Sequence, residues 1–218
     1  MRNVRVFFTK HGRMKFASHL DMNRLMTRII RRSGVPIWYT EGFNQHPYIT
    51  FALPLSLGFT CDYEIMDIRV IDDEFTNEQV KAALEKVFPD GLVVTAVEDM
   101  VLKTGEVAFA EFAITFKEGE KDFAERLNDF LSQESILTEK KTKKGKMKEI
   151  DMAPCIKRFS ISKRFSAEEG ENVVLNLVLS AGGENNLNPT LLLAAFGETP
   201  YYTVCRKMIY DSAMECFK

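Results

Sequence analysis

The fold is decided by two stretches near the N-terminus, RNVRVFFTK at residues 2–10 and SHLDMNRLMTRIIRRSG at residues 18–34. In the first stretch, polar and apolar residues alternate and β-type residues are frequent, which predicts a strand. The second carries apolar side chains at the spacing of an amphipathic helix, at Met22, Leu25, Met26, Ile29 and Ile30. Ser18 with Asp21 three positions later resembles a capping box, and Gly34 ends the helix.

The same order of elements recurs after residue 107. The first half continues with extended segments at 37–40 and 48–59, a strand at 62–71, a helix at 77–88 and a strand at 92–97. The second half has a helix at 121–131, a Lys-rich hairpin tip at 139–148 and a helix begun by Asn188 and Pro189. Each half follows the ferredoxin-like, split-βαβ order. We predict an α+β fold of two such units in tandem, with domains at residues 1–103 and 104–218.

Composition and cysteine spacing narrow the class of protein. The first 16 residues lack the apolar run of a signal peptide, and no stretch approaches the roughly 20 apolar residues that span a membrane. We therefore expect a cytoplasmic protein with no membrane partner. The four cysteines are scattered at Cys61, Cys155, Cys205 and Cys216, without the close spacing of soft ligands that metals and clusters need. We expect no metal and no cofactor.

The net charge of −2 conceals two regions of opposite charge. Residues 1–36 carry nine cations and one acid, a net charge of +8. Residues 61–135 carry 19 acids and seven bases, a net charge of −12. Segregated cations raise the local potential and attract polyanions.

The arginines of the first predicted helix form a candidate nucleic-acid interface. They share about a third of the helix circumference, opposite the apolar stripe: Arg24, Arg28, Arg31 and Arg32. Guanidinium groups offer paired donors to phosphate oxygens. The Lys-rich tip supplies further candidate contacts at Lys140, Lys143, Lys144 and Lys146. The alternative is that the arginines pair with the acidic 61–135 region or dock a protein.

Two histidines are catalytic candidates if the protein is an enzyme. His19 lies at a helix start, where the helix dipole disfavours imidazolium, so a neutral ring could act as a base near pH 7. His46 lies in an irregular loop. The alternative for His19 is that it caps or packs the helix start. The sequence assigns no catalytic residue and leans towards a protein that is not an enzyme.

Two loops are candidate recognition elements. The loop EGFNQHP at 41–47 combines aromatic, amide and imidazole groups, which are typical of recognition sites, at Gly42, Phe43, Asn44, His46 and Pro47. The loop AGGENN at 181–186 includes Gly182 and Gly183 and precedes a helix N-terminus, where backbone N–H groups can hold an anion. A plain turn remains the alternative for this second loop.

Several short motifs, spread over nearly the whole chain, together carry a resemblance to one protein family. They are KHG at 10–12, SHLD at 18–21 and GFNQHP at 42–47, with further matches at 51–55, 63–67, 148–154, 182–189 and 206–210. In these residues the chain resembles the radical-SAM-linked protein family, a bacterial domain of unknown function. The resemblance implies a B12-binding-type radical SAM protein as partner, which would carry the cluster that this chain cannot hold.

Three functions follow as hypotheses. The first is an accessory protein that binds RNA and presents it to the radical SAM partner. The second is a metal-independent ribonuclease, because the tandem ferredoxin-like order also resembles that of the RAMP-type CRISPR RNA endonucleases. That likeness concerns the fold alone. The third is a pure protein-docking module.

Overall fold

The computed structural model describes residues 1–117, 122–141, 147–166, 170–183 and 186–218. The fold is α+β, and the chain forms two compact units. The first unit comprises Met1–Val107 together with Arg206–Lys218, and the second comprises Ala108–Cys205. Within the described ranges, no helix has the length and apolar character needed to cross a membrane.

The helices and strands of the first unit come in the order β-α-β-β-α-β. They are β1 (Arg2–Lys10), α1 (His19–Ser33), β2 (Ile49–Phe51), β3 (Thr60–Val70), α2 (Asn77–Glu85) and β4 (Leu92–Asp99). A short 3-10 turn, Gly12–Phe16, joins β1 to α1, and another spans Thr104–Glu106. The sheet order is β4-β1-β3, and β2 pairs with β3. The pairs β1–β3, β1–β4 and β2–β3 are antiparallel.

The second unit has the same kind of order, with an added hairpin. Its elements are β5 (Phe109–Lys117), α3 (Phe123–Leu131), β6 (Leu137–Lys141), β7 (Met147–Asp151), β8 (Ile156–Ser166), β9 (Gly170–Ser180), α4 (Pro189–Phe196) and the start of β10 (Tyr202–Tyr210). A 3-10 turn, Ala153–Cys155, precedes β8. The strands β10, β5, β9 and β8 are neighbours in that order, and β6 pairs only with β7 among the described strands. The end of β10, from Arg206, belongs to the first unit beside β3.

The first unit has a core on one face of its sheet, because residues alternate between faces along a strand. Val4, Val6 and Phe8 of β1 are buried in the core cluster with the apolar stripe of α1. The same cluster includes Met66 and Ile68 of β3. The helices therefore cover this face. The intervening residues of β1 and β3 point to the opposite face.

The predicted helices are confirmed, and the predicted strands only in part. The four α-helices begin within a few residues of the predicted positions. Of the extended run predicted at 48–59, only Ile49–Phe51 forms a strand. Pro54 follows soon after and lacks the N–H that a ladder requires. The segment 37–40 forms isolated bridges rather than a strand.

The C-terminal segment does not follow the predicted division into residues 1–103 and 104–218, because it belongs to the first unit. The predicted boundary lies close to Val107, where the first continuous part of the first unit ends. Residues 206–218, however, cluster with the first unit. Contacts such as that between Arg206 and Glu64 hold them there.

Candidate nucleic-acid interface

A capping box fixes the start of α1, as the sequence predicted. The Ser18 hydroxyl accepts a hydrogen bond from Asp21 N at 3.2 Å, and Asp21 Oδ2 accepts from Ser18 N at 3.1 Å and from Ser18 Oγ at 2.6 Å. The hydrogen bonds from the Ser18 side chain and backbone lower the pKa of the Asp21 carboxyl. The contacts of Ser18 and Asp21 thus orient the helix that carries the arginines.

The arginines of α1 lie on its exposed side. Arg24, Arg28, Arg31 and Arg32 are all exposed. Arg24 Nη1 lies 3.9 Å from Asp21 Oδ1, a long contact between two exposed groups that contributes little energy. In the described part of the chain, Arg28, Arg31 and Arg32 make no ion pair. The expected alternative of pairing with acids at 61–135 is therefore not found among the described residues.

The spacing of these arginines has opposing effects on the helix. Arg28 is four residues from both Arg24 and Arg32, and like charges at that spacing repel. Arg31 and Arg32 lie in the last turn, where they complement the negative end of the helix dipole. The helix dipole therefore provides a structural reason for the positive charges of Arg31 and Arg32, but not for that of Arg28.

His19 is held in place by two neighbours. Its ring meets Phe51 edge to face, with the ring centres 5.3 Å apart. Asn23 Nδ2 lies 3.0 Å from His19 Nε2 and 3.0 Å from the His19 carbonyl oxygen. Because the carbonyl can only accept, the Asn23 amide nitrogen must face both atoms, and His19 Nε2 is then the acceptor. These contacts match the packing alternative for His19.

His46 closes the loop at 41–47 at its base. Its Nδ1 lies 2.6 Å from Thr40 Oγ1, and Thr40 N donates to the His46 carbonyl at 2.9 Å. A bridge between Tyr39 and Pro47 continues this narrow loop. At its tip, Gly42 and Asn44 are exposed, and the Phe43 ring is fully exposed. An aromatic ring with no packing around it is free to contact a partner.

The stem of this loop packs around one arginine. The Arg69 guanidinium carbon lies 4.8 Å from the centre of the Trp38 ring and 4.6 Å from that of the Tyr48 ring. Both contacts have cation–π geometry. Arg69 Nε also donates to Asn3 Oδ1 at 3.1 Å. The stem is thereby attached to β1 and β3.

The remaining predicted residues lie in the second unit. Gly182 and Gly183 adopt positive φ angles of 71° and 54°, which glycine tolerates, while residues 184 and 185 lie outside the described ranges. The Lys140 backbone pairs with Lys148 in the β6–β7 hairpin. The Lys140 side chain lies outside the described part, as do three whole residues, Lys143, Lys144 and Lys146. The assignment of these lysines as nucleic-acid contacts stays a prediction.

Sequence reasoning missed a group of buried charges in the first unit. Arg206 and Glu64 are 1% and 2% exposed, and Arg206 Nη2 donates to Glu64 Oε1 at 2.7 Å. Burial raises the pKa of Glu64, against the opposing attraction of Arg206. Lys10 is also buried and donates to the Ala17 carbonyl at 2.9 Å, and burial lowers its pKa. No local pattern indicates this group, because its members are distant in sequence.

A second buried pair lies on the face of the sheet opposite the helices. Arg5 Nε donates to Asp67 Oδ1 at 2.7 Å, and Arg5 Nη2 donates to Asp67 Oδ2 at 2.8 Å. The two residues are cross-strand partners between β1 and β3. Asn3 and Arg69 are cross-strand partners on the same face. We call this side, with Asn3, Arg5, Asp67 and Arg69, the polar face of the first unit.

A surface cluster also went unpredicted. His11 Nε2 lies 2.9 Å from Asp62 Oδ1, and Lys207 Nζ contacts the other oxygen of the same carboxylate. His11 belongs to the KHG motif, which gave no hint of a partner in β3. Within the described ranges, no group of three or more His, Cys, Asp or Glu side chains is placed to hold a metal ion.

These features describe a two-unit α+β chain that presents an arginine-lined helix and an exposed aromatic loop tip. Residues 3–189 match a family of bacterial proteins described as uncharacterized and conserved in bacteria (DUF2344). The chain belongs to this family. No curated protein matches.

Comparison with solved structures adds information on the fold. The chain is similar to a chain in the crystal structure of a Cbf5-Nop10-Gar1 complex, with a TM-score of 0.51 and 8% identity. The match covers 94% of this chain and 48% of that one, so our chain spans about half its length. An unknown protein from Galdieria sulphuraria matches with a TM-score of 0.27 and 8% identity, over 93% of this chain and 95% of that one. At 8% identity, the first match concerns the α+β fold alone.

Proposed function

We propose that this protein binds RNA through the exposed arginine face of α1 and acts as a non-catalytic accessory protein. One observation carries the proposal. Arg28, Arg31 and Arg32 are exposed without a carboxylate partner among the described residues. Repulsion between arginines four residues apart is relieved when an external anion binds them. A polyanion relieves it along the whole helix.

RNA suits this face better than a single small anion. The four arginines extend over roughly two turns of one helix, about 12 Å, so their guanidinium groups form a row that can follow a charged backbone. Each guanidinium can donate two hydrogen bonds to one phosphate. In the loop at 41–47, Phe43 offers an exposed ring on which an unpaired base can stack.

The strand order supports a tandem ferredoxin-like arrangement. In both units the first strand lies between the third and the last of the β-α-β-β-α-β order, when the β6–β7 hairpin is set aside. The order β4-β1-β3 in the first unit corresponds to β10-β5-β9 in the second. We propose on this basis that the chain contains two split-βαβ units. The likeness to RAMP-type proteins concerns the fold and supplies no activity.

The proposed partner is a B12-binding-type radical SAM protein. Support for it comes from the motif resemblance at KHG, SHLD and GFNQHP. In this arrangement the partner carries the cluster and performs the chemistry, while this chain holds the RNA. We propose a cytoplasmic location for the pair.

Binding of single-stranded RNA measured by fluorescence anisotropy tests the proposal. The substitution Arg28→Glu is expected to weaken binding by about tenfold or more, since it replaces a phosphate contact by a repulsive charge. Lys86→Glu is the matched control, because Lys86 is exposed on another helix end and the change in net charge is the same. Equal losses in both variants, or no binding by the wild type at low salt, would refute RNA binding through α1.

The same arginines would also suit an acidic protein surface. If the wild type binds no RNA but co-purifies with the radical SAM protein at low salt, and Arg28→Glu abolishes this, the docking function replaces RNA binding. A ribonuclease has less support. Neither His19 nor His46 contacts a carboxylate in the described part of the chain, and His19 Nε2 is engaged by Asn23.

A further inference from the structure

The polar face of the first unit contains a cavity of about 280 Å³. Small-molecule sites typically enclose about 300–1,000 Å³, so this cavity suits one small ring system. It is lined by residues from three strands or their ends and from the segment that follows β4: Asn3, Tyr48, Thr50, Asp67, Met100, Lys103 and Thr104. All of them belong to the first unit.

A fixed carboxylate forms part of the cavity wall. Asp67 is 3% exposed, and Arg5 uses one acceptor site on each of its oxygens. A carboxylate has about four acceptor sites, so Asp67 can still accept from a ligand. Arg5 is itself held by donation to the Leu102 carbonyl at 2.8 Å and by the Phe217 ring at 4.6 Å. The carboxylate is therefore preorganised.

A fixed amide stands beside this carboxylate. Asn3 Oδ1 accepts from Arg69 Nε at 3.1 Å, which leaves its Nδ2 group as the donor. Nδ2 makes no hydrogen bond to any residue in the described part of the chain. Asn3 and Asp67 are diagonal neighbours across β1 and β3, and both line the cavity. The cavity thus presents an acceptor next to a donor.

The other lining residues complete a site for a flat ring. Tyr48, whose ring is packed on Arg69, and Met100 supply apolar surface. Lys103 is exposed and makes no ion pair with the described residues. Because Lys103 is exposed and also lines the cavity, its ammonium group can hold a charged group attached to the ring at the rim. Thr50 sits opposite Asp67 across β2 and β3 and adds a hydroxyl.

We propose that this cavity binds a single nucleobase that carries an exocyclic amine beside a ring-nitrogen acceptor, as cytosine and adenine do. The amine donates to Asp67, the ring nitrogen accepts from Asn3 Nδ2, and Lys103 contacts the phosphate of the nucleotide. Uracil lacks the amine, and its imide N–H would face the Asn3 donor. The base comes from either a free nucleotide or an unpaired RNA residue.

The cavity is separate from the proposed RNA-binding face of α1. The helices cover the opposite face of the sheet, so α1 and the cavity lie on different sides of the first unit. Arg28→Glu is therefore expected to leave nucleotide binding unchanged. The two proposals can fail separately.

Isothermal titration of the full chain with cytidine, adenosine and uridine monophosphates tests the proposal. We expect the first two to bind about tenfold more tightly than uridine monophosphate, as for a well-formed base-edge contact. Thr104→Phe fills the cavity without altering the Arg5–Asp67 pair and should abolish binding. Thr95→Phe, at an exposed position of β4, is the matched control. Circular dichroism verifies that each variant is folded.

Further variants identify the contacts and the source of the base. Asp67→Asn should remove the preference over uridine, and Lys103→Gln should reduce cytidine monophosphate affinity to that of cytidine. If short cytidine-only RNA binds more tightly than uridine-only RNA and Thr104→Phe removes this difference, RNA supplies the base. If Thr104→Phe removes only nucleotide binding, a free nucleotide is the ligand. Equal affinity for cytidine and uridine monophosphates, or undiminished binding by folded Thr104→Phe, overturns the proposal.

Discussion

Arg206 Nη2 donates to Glu64 Oε1 at 2.7 Å, and the two residues are 142 positions apart in the sequence. Arg206 Nη1 donates in addition to the Leu53 carbonyl at 2.7 Å. Both side chains of the pair are almost wholly buried. This contact attaches the end of β10 to β3.

Removal of one member of this pair should destabilise the protein strongly. Arg206→Met is expected to lower the free energy of unfolding by about 3–5 kcal/mol, because Glu64 is left buried without its partner. Urea denaturation followed by circular dichroism measures the change. The double variant Arg206→Met/Glu64→Leu should be more stable than Arg206→Met alone. If it is less stable, the pair is not the source of the effect.

The capping box of α1 should depend on pH. Ser18→Ala is expected to lower the free energy of unfolding by about 0.5–2 kcal/mol, the usual effect of losing an N-cap. The pKa of Asp21 is lowered from its ordinary value of 3.8, so its contribution is present above that value and is lost as pH falls through the folded-state pKa. The difference in urea midpoint between wild type and Asp21→Asn should therefore shrink below about pH 4. A difference that stays constant with pH contradicts the capping role of the carboxylate.

The Cys61 thiol should be unreactive in the folded protein. Burial raises its pKa to about 12, so almost no thiolate exists near neutral pH. In a variant with Cys155→Ser, Cys205→Ser and Cys216→Ser, a thiol-specific chromogenic reagent should react only after denaturation. Rapid labelling of the native variant would show that Cys61 is accessible.

The salt dependence of RNA binding should report how many arginines contact phosphates. Affinity is expected to fall steeply between about 50 mM and about 200 mM salt. Each of Arg24→Gln, Arg28→Gln and Arg31→Gln should lower the slope of log affinity against log salt by about 1, if that arginine contacts one phosphate. Lys86→Gln should leave the slope unchanged. A slope that no arginine substitution alters would assign the binding to other residues.

Local features of the sequence were predictable because their causes are local. The first helix begins after Ser18 and ends before Gly34, which has φ of 76°, because the cap, the apolar stripe and the left-handed residue all lie within it or directly beside it. The α4 helix begins after Asn188 for the same kind of reason, since the Asn188 side chain accepts from Thr190 N at 2.9 Å. The arginine face of α1 follows from the 3.6-residue period alone.

The polar face and its cavity were not predictable, because they depend on strand register. From the sequence alone, Arg5 is indistinguishable from a surface cation in an alternating strand. Its partner becomes evident only in the structure, where β3 lies beside β1 with Asp67 opposite Arg5. A shift of one residue would have put Asp67 on the other face. Likewise, nothing near Glu64 in the sequence indicates that Arg206 will neutralise it.

The return of residues 206–218 to the first unit has a consequence for biosynthesis. A ribosome completes β1 to β4 long before it delivers Arg206, so the nascent first unit carries Glu64 without its counter-charge while the entire second unit is still being made. The first unit is therefore translated first in most of its residues but is completed only when residues 206–218 have been made. A fragment cut at the apparent boundary near Val107 would be arrested at that unfinished stage.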